Sequence, residues 1–217
     1  MEEQWSLIEL FKLGGVFMWP LLLFSVATMA LLIERTAYLL YHDIKVKKVT
    51  DSVKDLLLQK KIASAVELLQ SLPRRQTAAS ILLTLLQSSK YGEARMEKAA
   101  EGEAYERIRR MENGFTYLTA LSSIAPLTGF LGTVSGMIGA FKSIAAATDV
   151  NAQLVANGIY EALITTVFGL IIAIAALIGY NLLVQRVDTF TAEITKSVNE
   201  LVPVLIDYNA GSKSEEE

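Results

Sequence analysis

The chain has 217 residues, 52% of them hydrophobic and 20% charged, with a mean hydropathy of +0.38. That balance leaves too little polar surface for one soluble globule, so the charges must be gathered between apolar stretches. The absence of cysteine excludes disulfides, thiolate metal sites and cysteine nucleophiles, and the formal net charge of −3 conceals how unevenly charge is distributed.

Residues 1–13 form a short N-terminal segment with Glu2, Glu3 and Glu9 against Lys12. Gly14 to Ile33 follows, 20 residues without a charge. A helix needs about 20 residues to cross a roughly 30 Å hydrocarbon core. The acidic leader and the length of the run argue against a cleaved signal peptide, so 14–34 is predicted as a retained span. Its bulky Phe17, Trp19, Leu21, Leu22, Leu23 and Phe24 suit an outer, lipid-facing helix. Residues 35–112 read as helices: Val49, Val53, Leu56 and Leu57, then Ala65, Val66, Leu68 and Leu69, then Ile81, Leu82, Leu85 and Leu86 recur at helical spacing, with a break at Pro73. Glu103–Arg107 and Glu106–Arg110 are spaced i,i+4. No proline or cluster of turn residues separates Glu93–Met111 from the next apolar run, which predicts one long helix through both.

That second span covers 113–141, all 29 residues from Asn113 to Phe141 being uncharged. A loop over 142–154 leads to a third span over 155–185, in which Ala162 to Gln185 is again uncharged. In 186–217, Val187, Phe190, Ile194, Val198 and Leu201 keep a helical apolar face as far as Pro203, and Gly211–Glu217 is expected to be disordered. Of the 20 Lys and Arg, 15 lie between Arg35 and Arg110, so the positive-inside rule places 35–112 and the C-terminal tail in the cytoplasm, with the N-terminus and 142–154 outside. The fold class is therefore all-α: a three-span transmembrane protein whose long helices continue into a cytoplasmic helical domain.

Two features of the spans suggest chemistry. Small residues recur on one face of span two, at Gly129, Gly132, Gly136 and Gly139, and of span three, at Gly158, Ala162, Thr165, Gly169 and Ala173, as at faces where membrane helices pack closely or border a pore. Beside them are polar groups. Glu161 is the only ionisable side chain from Val150 to Gln185 apart from Tyr160 and Tyr180, and a carboxylate there is expensive enough to mark a functional position. With inner boundaries near Tyr117 and Leu183, Thr133 and Thr166 lie 16 and 17 residues in, at one expected depth; Glu161 is one turn before Thr165 on the same face. Carboxylate and hydroxyls at successive depths can pass a proton, because each can accept and donate a hydrogen bond. Thr133, Glu161, Thr165 and Thr166 are thus the candidate proton pathway.

The run from Ala125 to Met137 (APLTGFLGTVSGM), followed by Gly158 to Leu170 (GIYEALITTVFGL), closely resembles the MotA/TolQ/ExbB proton-channel family, and the three-span layout points to its ExbB/TolQ branch. The resemblance implies a ring, a pentamer in that branch, whose second and third spans surround a single-span ExbD- or TolR-like partner bearing an essential aspartate. It implies a bacterial inner-membrane protein that uses the proton motive force for energy transduction and protein transport, with a TonB/TolA-like protein as a further partner. The family's pore threonines fall on Thr133 and Thr166, and its pore glutamate on Glu161. Neither enzymatic activity nor a cofactor is expected. The lone histidine, His42, reads as interfacial, and no phosphate loop, metal-ligand cluster or nucleophile–base set is present in the sequence. The basic central region is explained by orientation rather than by nucleic acid. The competing reading is a passive membrane scaffold, which would use the small-residue faces but not the acid and threonines beside them.

Overall fold

Long apolar runs with few helix breakers become helices because each satisfies its own backbone, which lipid demands. In a computed structural model, residues 7–42, 45–73, 75–146 and 152–214 are described. Among them the order is α1 (Leu7–Leu13), α2 (Met18–Tyr41), α3 (Lys47–Leu58), α4 (Ile62–Ser71), α5 (Thr77–Ser88), a 3₁₀ turn (Ser89–Tyr91), α6 (Glu93–Met111), α7 (Phe115–Ala146) and α8 (Ala152–Ser214), with no strand. Three stretches, Met18–Tyr41, Glu93–Ala146 and Gly158–Gly211, contain windows long and apolar enough to cross a membrane.

The chain divides into two units. The first comprises Met1–Glu34 and Gly114–Leu182. Its core joins Met18 and Leu21 of α2, Ala125 of α7 and Ile164 and Ile172 of α8, with Phe11, Phe24, Tyr160 and Phe168 packed around them. Trp19, Leu23, Val26, Met29 and Ile33 repeat at helical spacing along the other side of α2, each more than half exposed. A stripe of that kind is a fault in water and the ordinary outer surface of a spanning helix in lipid.

The second unit comprises Arg35–Asn113 and Leu183–Glu217. Val49, Val53 and Leu57 of α3, Ala65 and Leu69 of α4, Ile81, Leu82, Leu85 and Leu86 of α5, and Met96 of α6 are buried, as are Val187, Phe190, Ile194, Leu201 and Leu205 of α8. The buried Thr50 hydroxyl donates to Ser197 Oγ at 2.8 Å, and Asn209 Nδ2 donates to the Ser89 carbonyl at 3.0 Å. The helices predicted between the spans thus gain a partner, the continuation of the last helix.

Four expectations are corrected. The helix predicted to run unbroken from Glu93 into span two is interrupted between Met111 and Phe115, where Gly114 takes φ +88°; only glycine holds that conformation without strain. Pro203 does not end the last helix, which continues to Ser214. The carbonyl that the proline leaves without a helical donor belongs to exposed Asn199, where water can serve it, while buried Leu201, Val202 and Leu205 hold the segment down. Gly211–Ser214, expected to be disordered, are helical, and 215–217 lie outside the described residues. The predicted loop 142–154 is also shorter, since α7 reaches Ala146 and α8 starts at Ala152; 147–151 lie outside the described residues.

Candidate functional site

The site is built on the antiparallel approach of α7 and α8 within the first unit. A methyl placed on Gly129 would lie 2.7 Å from the Thr165 carbonyl oxygen, and one on Gly169 2.6 Å from the Ala125 carbonyl oxygen. On Gly132 it would meet the Thr165 side chain, on Gly136 the Ala162 Cβ at 3.2 Å, and on Gly158 the Ala140 Cβ at 2.5 Å. The stripes of Gly129, Gly132 and Gly136 and of Gly158, Ala162 and Gly169 therefore face one another within a single chain. These residues lie in the contact between the two helices of one chain.

Glycine lets the backbones come close enough for side chains of one helix to reach carbonyls of the other. Thr165, 1% exposed, has its hydroxyl 3.1 Å from the Gly129 carbonyl and 2.8 Å from that of Ala162, so its one proton is shared between two acceptors. Thr166 donates to the same Gly129 carbonyl at 3.3 Å. Thr133 donates to Phe130 at 2.6 Å. Thr165 lies inside the seam, whereas Thr133 and Thr166 are only partly buried, at its edge. Each hydroxyl spends its proton on a carbonyl and keeps lone pairs that can accept another hydrogen bond.

The seam also sets the register, and it corrects the expected depth match. Gly129 is level with Thr165 and Thr166, while Gly136 is level with Ala162. Because Gly132 also reaches the Thr165 side chain, Thr133 is displaced from Thr166 by between half a turn and one turn, about 3–6 Å at 1.5 Å per residue. The earlier match came from choosing the two inner boundaries independently, which close backbone contact overrides. Gly136 meets both Gly158 and Ala162, so Glu161, between them, falls on α8 near the Gly136 level, within one turn beyond Thr133. Its side chain lies outside the described residues. Two levels have become three: Thr166, Thr133, Glu161.

A family model described as the MotA/TolQ/ExbB proton channel family matches residues 55–196. The chain belongs to the MotA/TolQ/ExbB proton channel family. It is 33% identical over 198 residues to a putative biopolymer transport protein ExbB-like 1 from Synechocystis sp., covering 86% of this chain and 75% of the relative. It is 30% identical over 196 residues to the biopolymer transport protein exbB1 of Vibrio cholerae, covering 89% and 86%. To the Tol-Pal system protein TolQ of Haemophilus influenzae it is 37% identical over 98 residues, 45% of this chain and 43% of the relative. The ExbB/TolQ branch follows, and with it a multi-pass membrane protein of a proton-channel family.

His42 is accounted for structurally: its Nδ1 lies 3.0 Å from the Tyr38 carbonyl and its ring is 4.1 Å from that of Tyr38, at the end of α2. Among the described residues no group of acids and histidines could hold a metal. What sequence reading missed is a groove at the N-terminal side of the first unit, bordered by Lys12, Ser135, Ser143 and Tyr160. Ser135 and Ser143, polar and eight residues apart in span two, were its only trace in the sequence.

Proposed function

We propose that this chain is the channel and stator subunit of an inner-membrane complex that uses the proton motive force to drive mechanical work through an ExbD/TolR-like single-span partner. The supporting observation is the stepped order of Thr166, Thr133 and Glu161 along the edge of a glycine-sealed seam, in a chain of the proton-channel family. Several copies form a ring, five in the reading taken from the family resemblance, with α7 and α8 around the partner's helix. The N-terminus faces the periplasm and the C-terminus the cytoplasm. A proton arriving from outside meets Glu161 first, then the Thr133 and Thr166 hydroxyls, while the partner's aspartate alternates between charged and neutral forms. The neutral carboxyl tolerates an apolar wall that the carboxylate does not. A fivefold ring around a partner of different symmetry converts each protonation into a change of register, hence rotation. One charge crossing 100 mV releases about 2.3 kcal/mol, so each work cycle takes several protons.

Glu161→Gln should keep ring assembly and partner copurification while lowering proton-driven work several-fold. The measurement pairs proton flux in vesicles holding both proteins with a cell-based assay of the driven process. Full activity in that variant removes Glu161 from the pathway. If the chain copurifies with no single-span partner bearing an intramembrane aspartate, the scaffold reading replaces this one.

A further inference from the structure

A groove of 610 Å³ opens in the first unit between the chain around α1 and the outer-facing residues of α7 and α8. Lys12 stands at its edge, with Ser135, Ser143 and Tyr160 around it and Gly136 and Gly139 among its walls. Lys12 is exposed and makes no ion pair among the described residues. It is also the only Lys or Arg before Arg35. On the acid-poor wall of a membrane groove, an ammonium calls for an anion.

We propose that this groove seats an anionic phospholipid of the leaflet nearest α1, with the phosphate at Lys12 and one acyl chain along Gly136 and Gly139. Three observations select that occupant. The groove's polar side chains are an ammonium and hydroxyls, with no carboxylate among the described residues that line it. Ser143 spends its proton on the Gly139 carbonyl at 3.0 Å, so Lys12 and Ser135 are the groups assigned to the headgroup. An anionic headgroup brings no cation of its own, whereas a zwitterionic one places a second ammonium beside Lys12. Beyond the headgroup the groove has room for a hydrocarbon chain, because a Cβ added at Gly139 would meet nothing within 4 Å.

The proposal is independent of the proton-channel reading, since it concerns a groove and a lipid whatever the ring does. The test uses the full chain in mild detergent, titrated with phosphatidylglycerol or with phosphatidylethanolamine of the same acyl chains, with retained lipids counted by native mass spectrometry. Wild type should retain phosphatidylglycerol at lower concentration than phosphatidylethanolamine. Lys12→Gln should weaken phosphatidylglycerol alone by about fivefold, the usual effect of one Lys near an anionic surface, and Lys12→Arg should restore it. Gly139→Leu, which fills the groove in open space, should abolish the extra retained lipid with unfolding temperature unchanged. Equal retention of the two lipids by wild type, or no change in Lys12→Gln and Gly139→Leu, overturns the proposal. So does a disulfide between copies through Gly139→Cys in the otherwise cysteine-free chain, because the groove is then covered by protein.

Discussion

At the scale of single residues, the glycines of α7 and α8 are chemically alike and structurally different. A Cβ at Gly129 or Gly169 would collide with a backbone carbonyl of the facing helix, which cannot rotate away, whereas one at Gly139 meets nothing. Gly129→Ala and Gly169→Ala should each destabilise the protein by about 1–3 kcal/mol, the usual range for overpacking, and Gly139→Ala should leave stability unchanged. Thermal unfolding of the purified protein in detergent separates the two classes. A sequence reading cannot, because Gly132, Gly136 and Gly139 share one stripe and only the facing backbone decides which are covered. Thr165 carries the same lesson. Its spacing from Glu161 placed it on the proton pathway, yet its hydroxyl is committed to two carbonyls inside the seam. Thr133 and Thr166, at the edge, are left as the accessible pair.

At the scale of elements, the spans and most helices were legible because charge-free runs and helical periodicity leave few alternatives in lipid. What escaped was where helices end. Gly114 sits between good helix formers in Glu93–Met111 and the apolar run of span two, and a single glycine inside a helical pattern is ordinarily tolerated. Its φ of +88° shows that here it closes α6 instead. Gly114→Ala must either adopt the left-handed conformation, at about 1–2 kcal/mol, or rejoin α6 and α7 into one helix. The expected outcome is lowered stability, with loss of the Arg35 Nη1 donation to the Arg110 carbonyl, 3.4 Å in the native structure. An unfolding scan gives the first result, and the structure of the variant gives the second. At Pro203 the error ran the other way: a residue that breaks isolated helices is held inside one by buried Leu201, Val202 and Leu205. Tertiary burial outweighs a local signal that the sequence displays plainly.

At the scale of the whole molecule, charge and apolar length together imply a sidedness that has its own test. Fifteen of 20 basic residues lie in the stretch between the first two spans, and an odd number of spans puts the two ends of the chain on opposite sides. Ala145, near the end of α7, and Ser52, in α3, are both exposed and lie on opposite sides of the second span in this reading. The chain contains no cysteine, so one introduced at either position is the only thiol present. In spheroplasts, a membrane-impermeant maleimide should label Ala145→Cys and spare Ser52→Cys until the membrane is opened. The reverse pattern would turn the protein over, making Glu161 the exit rather than the entrance for an inward-moving proton. Labelling of both from one side would break the three-span count itself. The prediction thus joins the two scales beneath it. The order Glu161, Thr133, Thr166 along the seam is set by glycine contacts, but its direction as a pathway is set only by which face of the membrane the basic residues occupy.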